Sequence, residues 1–114
     1  MDALALITAF VKSRMPGLRC STEIPKEPAM PYVTIARYGG VPSRYGDFDK
    51  PIITARVHAS SEAEAYKLAV AYNAVMCDLD REPKFSSVRP NGLALVLSEP
   101  GHTVYQVTHN IVTV

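Results

Sequence analysis

The chain has 114 residues and a mass of 12.5 kDa, and 47% of its residues are hydrophobic, which is the size and composition of one globular domain spanning 1–114. Lysine and arginine number 12 against 11 aspartates and glutamates, and this near balance excludes the basic block that non-specific nucleic-acid binding requires. No apolar run reaches the roughly 18 residues of a membrane span and the N-terminal residues lack the features of a secretory signal, so we expect a protein without a membrane partner that stays inside the cell when made.

The first half of the sequence predicts one helix and two strands. Apolar residues at helical spacing predict a helix over 2–15, which the Pro-Gly pair after it ends. A proline-rich connector over 18–31, either irregular throughout or with a short strand, leads to β-branched and aromatic residues that predict a strand over 32–38. Residues 39–50 have turn chemistry over an unusual length, and we expect a mobile loop there. Strict alternation then predicts a half-buried strand over 51–59.

The second half predicts another helix and a closing hairpin. Ser61 and Glu64 have capping-box spacing, so a helix begins there, and its apolar stripe, with Leu68 as a core residue, should pack on the sheet. The strand predicted over 92–98 contains LALVL, apolar at every position, which indicates a central strand covered on both faces. A Pro-Gly turn joins it to an alternating strand over 103–113. The expected fold is α+β in the order αββαββ, a four-stranded, mainly antiparallel β-sheet packed against two α-helices.

Residues with catalytic or ligand chemistry are scattered along the chain. His58 and His109 lie mid-strand and would approach each other as metal ligands if their strands were neighbours, but the closely spaced Cys/His pairs of zinc sites are absent. His102 lies in a turn, where we expect it to be solvated, and Cys77 has the helical setting of an inert thiol. The glycines of 39–50 lack the Gly-Lys-Ser/Thr of a phosphate loop. We predict no enzyme, no cofactor, and no catalytic or metal-binding residue.

Two features favour contacts with other protein subunits. The 39–50 loop contains arginine and aromatic residues, which also occur in nucleic-acid sites but dominate protein interfaces, and its acidic residues suit a solvated tip. The second helix carries apolar residues away from its main stripe, so either the first helix or another subunit should cover them. The predicted interface residues are Arg44, Tyr45, Asp47, Phe48, Tyr66 and Val70.

One order of features extends over nearly the whole chain. A proline-rich entry over 28–31 precedes a strand that ends Arg-Tyr-Gly-Gly, then a loop with Arg44, Asp47 and Asp49. A strand that opens with Pro-Ile-Ile, a helix containing SEAEAYKLA and the closing hairpin follow. In this order the chain resembles the small tail-terminator and tail-to-head joining proteins of long-tailed, siphovirus-like bacteriophages.

The resemblance implies a structural virion protein, found at the head-proximal end of the tail and in the host cytoplasm during assembly. Its implied partners are copies of itself in a hexameric ring, the tail tube protein, and the head-tail connector or head-completion protein, with DNA only passing through the ring lumen. It implies no cofactor. Two other functions stay open: another neck protein of the virion, or a small ligand-binding α+β domain whose pocket would hold Arg56, His58 and His109.

Overall fold

The structure, a computed structural model, describes residues 3–22, 30–41 and 50–113. Two helices lie on one face of a five-stranded sheet, and a short 3-10 turn extends the second of them. The helices are α1 (Ala3–Arg14) and α2 (Glu62–Asp78), the 3-10 turn is Leu79–Arg81, and the strands are β1 (Arg19–Ser21), β2 (Tyr32–Val41), β3 (Lys50–Ala59), β4 (Phe85–Glu99) and β5 (His102–Thr113). Neither described helix is long and apolar enough to cross a membrane.

The sheet is mixed, and the predicted four-stranded arrangement in the order αββαββ is wrong. The strand order is β1-β2-β3-β5-β4, and β1 pairs with β2 in parallel while the other neighbours are antiparallel. The additional strand is three residues long, with Cys20 opposite Val33. It lies within the connector over 18–31, for which a short strand was one interpretation, and three residues are too few for alternation to locate a strand. The chain order of the described elements is αβββαββ.

The strand containing LALVL is also placed differently from the prediction. It begins at Phe85 and forms one edge of the described sheet, because β5 lies between it and β3. Leu93, Leu95 and Val96 are exposed, so they are not covered on both faces. The predicted hairpin with the last strand is confirmed, and Gly101 turns the chain with a φ of 78°, a conformation that favours glycine.

The core lies between the helices and the odd-numbered positions of the central strands. Ile53 and Val57 of β3 and Val107 and Ile111 of β5 are all buried, as strand alternation requires. On α2 the buried stripe consists of Ala65, Ala69, Tyr72 and Met76. Burying a large apolar side chain fully contributes about 1.5–3 kcal/mol, so this stripe fixes α2 on the sheet.

The ends of α2 account for its position along the sheet. Ser61 caps the helix, and its hydroxyl accepts a hydrogen bond from the Glu64 backbone N–H at 3.2 Å, as predicted. At the other end Asp78 pairs with Arg14 of α1 at 3.6 Å. Leu68, predicted as core, is only partly buried, because it flanks the buried stripe of α2 and does not belong to it.

Candidate interaction surface

Four of the six predicted interface residues lie outside the described part of the chain. They are Arg44, Tyr45, Asp47 and Phe48. Of the predicted mobile loop over 39–50, residues 39–41 belong to β2 and Lys50 begins β3, and the remaining residues lie outside the described part of the chain. The pairing of Val41 with Lys50 extends the β2-β3 ladder into the predicted loop. The candidate surface is therefore built from the other two predicted residues, both on α2.

Tyr66 and Val70 lie on the flank of α2 opposite Leu68. Residues advance by about 100° around a helix, so each of the two stands about 160° from Leu68, which packs against the core on the other side of the buried stripe. Tyr66 is 52% exposed and Val70 45% exposed. At these exposures the first helix does not cover them, and the other predicted covering, another subunit, stays a prediction.

The exposed flank of α2 continues onto β4. The Tyr66 ring meets the edge of Tyr105 with 5.7 Å between ring centroids, and Leu95 is the β4 partner of Tyr105. Val70 lies between two contacts of α2 with β5, that of Tyr66 with Tyr105 and that of Asn73 with His109, so we place it near Val107, whose β4 partner is Leu93. We call this surface the shelf: it consists of Tyr66, Val70, Leu93 and Leu95. Leu93 is 38% and Leu95 47% exposed.

Polar contacts beneath the shelf hold α2 against β5. Tyr105 donates a hydrogen bond from its hydroxyl to Glu62 at 3.3 Å, and burial together with this carboxylate raises the pKa of Tyr105. Asn73 accepts a hydrogen bond at 2.8 Å from Nε2 of His109, which fixes the tautomer of that ring. Burial lowers the pKa of His109 to about 4, so the ring is neutral at physiological pH. The shelf is thus supported by oriented, rigidly placed side chains.

Two buried polar atoms under α2 have no hydrogen-bond partner among the described residues. They are the Tyr72 hydroxyl oxygen and Nδ1 of His109, and the two rings meet edge-on with centroids 5.8 Å apart. Burial raises the pKa of Tyr72 well above its ordinary value. Burial also raises the pKa of Cys20 to about 11, so this buried thiol stays protonated. These groups are neutral at physiological pH and lie in the core.

His58 and His109 lie on neighbouring strands, but their rings do not meet. Alternation places His58 opposite Val104 on the sheet face away from the helices, whereas His109 opposes Ile53 on the helix-covered face. Within the described ranges no three His, Cys, Asp or Glu side chains come together as a metal site. The proposed ligand pocket fails on the same geometry, because Arg56 and His58 share one face and His109 lies on the other.

The partner of His58 is His102, a contact that sequence reasoning missed. Nδ1 of His58 lies 3.0 Å from Nε2 of His102, so one of these nitrogens donates a hydrogen bond and the other accepts it. Tyr32 stacks on the other side of His58 with centroids 4.3 Å apart. Burial, then His102 and Arg56, lower the pKa of His58. His102, expected to be solvated in a turn, is half-buried and begins β5.

A second apolar feature lies beside the start of β4, apart from the shelf. It is a groove of about 330 Å³ between α1 and the chain that follows α2. Its lining is largely apolar and consists of Leu6, Phe10, Leu79, Pro83 and Phe85, with Glu82 and Lys84 at its polar positions. None of the predicted interface residues contributes to it. Cys77, predicted to behave as a small apolar residue, is exposed rather than packed.

Comparison of the sequence with models of protein families and with curated proteins gives no match. The interpretation of the shelf therefore depends on its own residues and their geometry.

Proposed function

We propose that this protein is a structural subunit of a bacteriophage virion that forms a closed, hexameric homomeric ring, ends the tail tube and joins the tail to the head. The observation that carries the assembly part of the proposal is the shelf. Four large apolar side chains on two elements form one exposed surface, and such a patch on a small domain marks a protein-protein contact more often than an idle surface. The proposal that the assembly is part of a bacteriophage virion is supported by the order of features along the sequence.

The shelf has the make-up of an interface centre. Tyr66 presents an aromatic ring that is anchored by Tyr105, and aromatic anchors dominate the energy of protein contacts. Val70, Leu93 and Leu95 surround it with aliphatic surface. The hydrogen bonds of Tyr105 with Glu62 and of His109 with Asn73 lie beneath this surface, so docking on it would leave both of them intact.

A ring requires two different surfaces on each subunit. In a heterologous contact that closes by rotation, one surface of each copy meets a second surface of the next copy. The shelf and the groove between α1 and the start of β4 are two such apolar surfaces, and they share no residue. This pairing of features favours a ring over a contact that uses a single patch.

The test is a tube-capping experiment with a substitution on the shelf. Purified protein is added to polymerising tail-tube subunits, and electron microscopy records tube length and the presence of a cap at tube ends. We expect the native protein to stop growth and form caps, and Val70→Glu to abolish both. Ala74→Glu is the matched control, since Ala74 is exposed on the outer side of the same helix.

The outcomes separate the proposal from its rivals. Tubes that grow unchanged and uncapped with the native protein would contradict tube termination. Binding to the head connector without an effect on tubes would identify another neck protein instead. Equal activity of the Val70→Glu and Ala74→Glu variants would remove the shelf from the interface while leaving tube termination intact.

A further inference from the structure

One face of the sheet carries neither of the described helices. Both helices lie on the face that holds His109, and strand alternation places the even-numbered residues of β3 and β5 on the other face. We call this second surface the open face. It is polar: the hydroxyl oxygens of Thr54 and Thr108 lie 3.4 Å apart, and Nε of Arg56 donates a hydrogen bond to Gln106 at 3.4 Å. The apolar shelf lies on the opposite, helix-covered side.

The sheet brings together on the open face basic residues that are far apart in the sequence. Strand register and alternation place four exposed basic side chains there: Arg19, Lys50, Arg56 and Arg89. Glu99 is the only acidic residue in the described strands, and the other described acidic residues belong to α2 and the segment that follows it. The chain has no contiguous basic block, but its described charges are separated in space, so these strands give the open face an excess of positive charge.

Lys50 and Arg89 lie at the same end of the open face. Arg89 pairs with Asn110, which in turn pairs with Ile52. Lys50 lies two residues before Ile52 on β3, so at the usual spacings of strands and residues the Cα atoms of Lys50 and Arg89 are about 12 Å apart. Neither side chain has an ion-pair partner among the described residues. The major groove of DNA is also about 12 Å wide, so the two cations can contact the phosphate rows on either side of it.

The described aromatic rings of the open face pack against each other. Tyr32 is 6% exposed and stacks on His58 with centroids 4.3 Å apart, and His58 shares a hydrogen bond with His102. Proteins that bind single-stranded nucleic acid stack its bases on exposed aromatic rings. A surface that offers cations while its described rings are already stacked suits instead the backbone of a duplex, which proteins contact without reading the bases.

We propose that the open face binds the phosphate backbone of double-stranded DNA independently of base sequence. Arg89 supplies a planar guanidinium that can form two parallel hydrogen bonds to one phosphate, and Lys50 supplies a compact positive charge. Beside Arg89, the side-chain nitrogen of Asn91 donates to the side-chain oxygen of Asn110 at 3.3 Å, so the exposed Asn110 can donate its own nitrogen to phosphate. Arg56 adds positive charge further along β3.

The DNA contact goes beyond the proposed function, in which DNA only passes through the lumen of a ring. The open face has no residue in common with the shelf or with the groove between α1 and the start of β4. One copy can therefore make its subunit contacts and its DNA contact at the same time. Binding of DNA by the open face does not require the ring.

The test measures binding of the full chain to a fluorescein-labelled DNA duplex of mixed sequence by fluorescence anisotropy, from about 10 to about 150 mM salt. We expect the logarithm of the association constant to fall linearly with the logarithm of the salt concentration. Arg89→Gln and Lys50→Gln should each make this slope shallower by about 0.9, since each removes one phosphate contact. Arg81→Gln and Lys67→Gln are the matched controls, because both residues are exposed and lie outside the sheet.

Removing the one carboxylate of the open face should have the opposite effect. Glu99 pairs with His102, so Glu99→Gln should tighten DNA binding by about two- to fivefold, the range of one exposed charge interaction. Absence of salt-dependent binding by the native protein would overturn the inference. Equal slopes for Arg89→Gln and Arg81→Gln would also overturn it, because the attraction would then depend on net charge alone. Tighter binding to a single strand than to the duplex would contradict the backbone contact. None of these measurements uses tail tubes, so their failure is distinct from failure of the ring.

Discussion

The two strands of the closing hairpin differ in what their apolar residues do. Along β5 apolar side chains alternate with polar ones, and Val107 and Ile111 are buried under α2. From Leu93 to Leu97 of β4 every side chain is apolar, yet Leu93 and Leu95 are exposed. The less hydrophobic strand is thus the buried one. Position in the sheet order, with a neighbour on each side and a helix above, decides burial here.

This difference separates residues that stabilise the domain from residues available to partners. Removing a buried side chain of β5 leaves a cavity, whereas shortening an exposed one on β4 removes only surface. Contacts of α2 reinforce the contrast, since its buried stripe lies over β3 and β5 and its exposed flank borders β4. The predictions below use substitutions at covered and at less covered positions to test this contrast.

The largest effect is expected for Ile111→Ala in β5. Ile111 is 1% exposed and belongs to the core cluster, so the substitution should lower the free energy of unfolding by about 2–5 kcal/mol. Urea unfolding followed by circular dichroism measures it. Leu68→Ala is the comparison on α2, and because Leu68 is only partly buried its effect should be clearly smaller. An equal or larger loss at Leu68 would mean that the covered side of the domain is wrongly identified.

The second effect is a pH dependence that originates at His109. Its pKa is lowered from 6.5 to about 4 by burial, so the unfolded state binds the proton more tightly than the folded state between these values. Stability is therefore complete above about pH 6.5, falls as pH drops toward about 4, and is then level, with a total loss of about 3 kcal/mol at 1.36 kcal/mol per pKa unit. In His109→Gln the free energy of unfolding, measured by urea unfolding at a series of pH values, should vary less with pH than in the native protein.

A control for this pH dependence is His58→Gln on the other sheet face. His58 is half-buried and its pKa is lowered in the same direction, so it should contribute less than the fully buried ring. If the pH dependence survives in His109→Gln and disappears in His58→Gln, the stability linkage belongs to the His58-His102 pair instead.

The sequence predicted the elements whose patterns are local. Alternation identified β3 and β5, and the spacing of Ser61 and Glu64 identified the start of α2. It also identified Tyr66 and Val70 as surplus apolar surface, which the structure leaves exposed. These features depend on residues a few positions apart, and the periods of helices and strands make such patterns readable.

The sequence did not predict what depends on sheet order. Leu95 was assigned to a central strand because nothing local distinguishes an edge strand with an apolar partner from a covered one. The His58-His102 contact joins β3 to β5 across 44 residues and depends on which strands are neighbours. The parallel pairing of β1 is equally non-local, and three residues give no period. The roles of Arg44, Tyr45, Asp47 and Phe48 stay predictions, since these residues lie outside the described ranges.

A smaller effect is expected at the N-terminus of α2. Ser61→Ala removes the side-chain acceptor for the Glu64 amide, and loss of such a cap costs about 1 kcal/mol. Thermal unfolding of Ser61→Ala and Ser60→Ala measures it, because Ser60 is an exposed neighbour just before the cap. Equal melting temperatures for the two variants would show that the capping hydrogen bond adds no stability.

The smallest effect is expected for Leu95→Thr, measured in dilute protein. Leu95 is 47% exposed, so a smaller β-branched residue that suits a strand should change the free energy of unfolding by less than about 0.5 kcal/mol. This is the counterpart of Ile111→Ala: two aliphatic side chains on paired strands, one covered and one open. A loss of several kcal/mol in dilute solution would mean that Leu95 is packed within the monomer.

The stability of Leu95→Thr should differ from that of the native protein at high protein concentration, although the two are nearly equal in dilute solution. A contact between copies stabilises the folded state by mass action, so the native protein should become harder to unfold as its concentration rises. Leu95→Thr weakens that contact and should reduce the dependence, while Ile111→Ala should keep it at a lower overall stability. Leu95→Thr would then leave the stability of the fold nearly unchanged and weaken association. This combination is expected of an apolar side chain on an edge strand that contacts a partner.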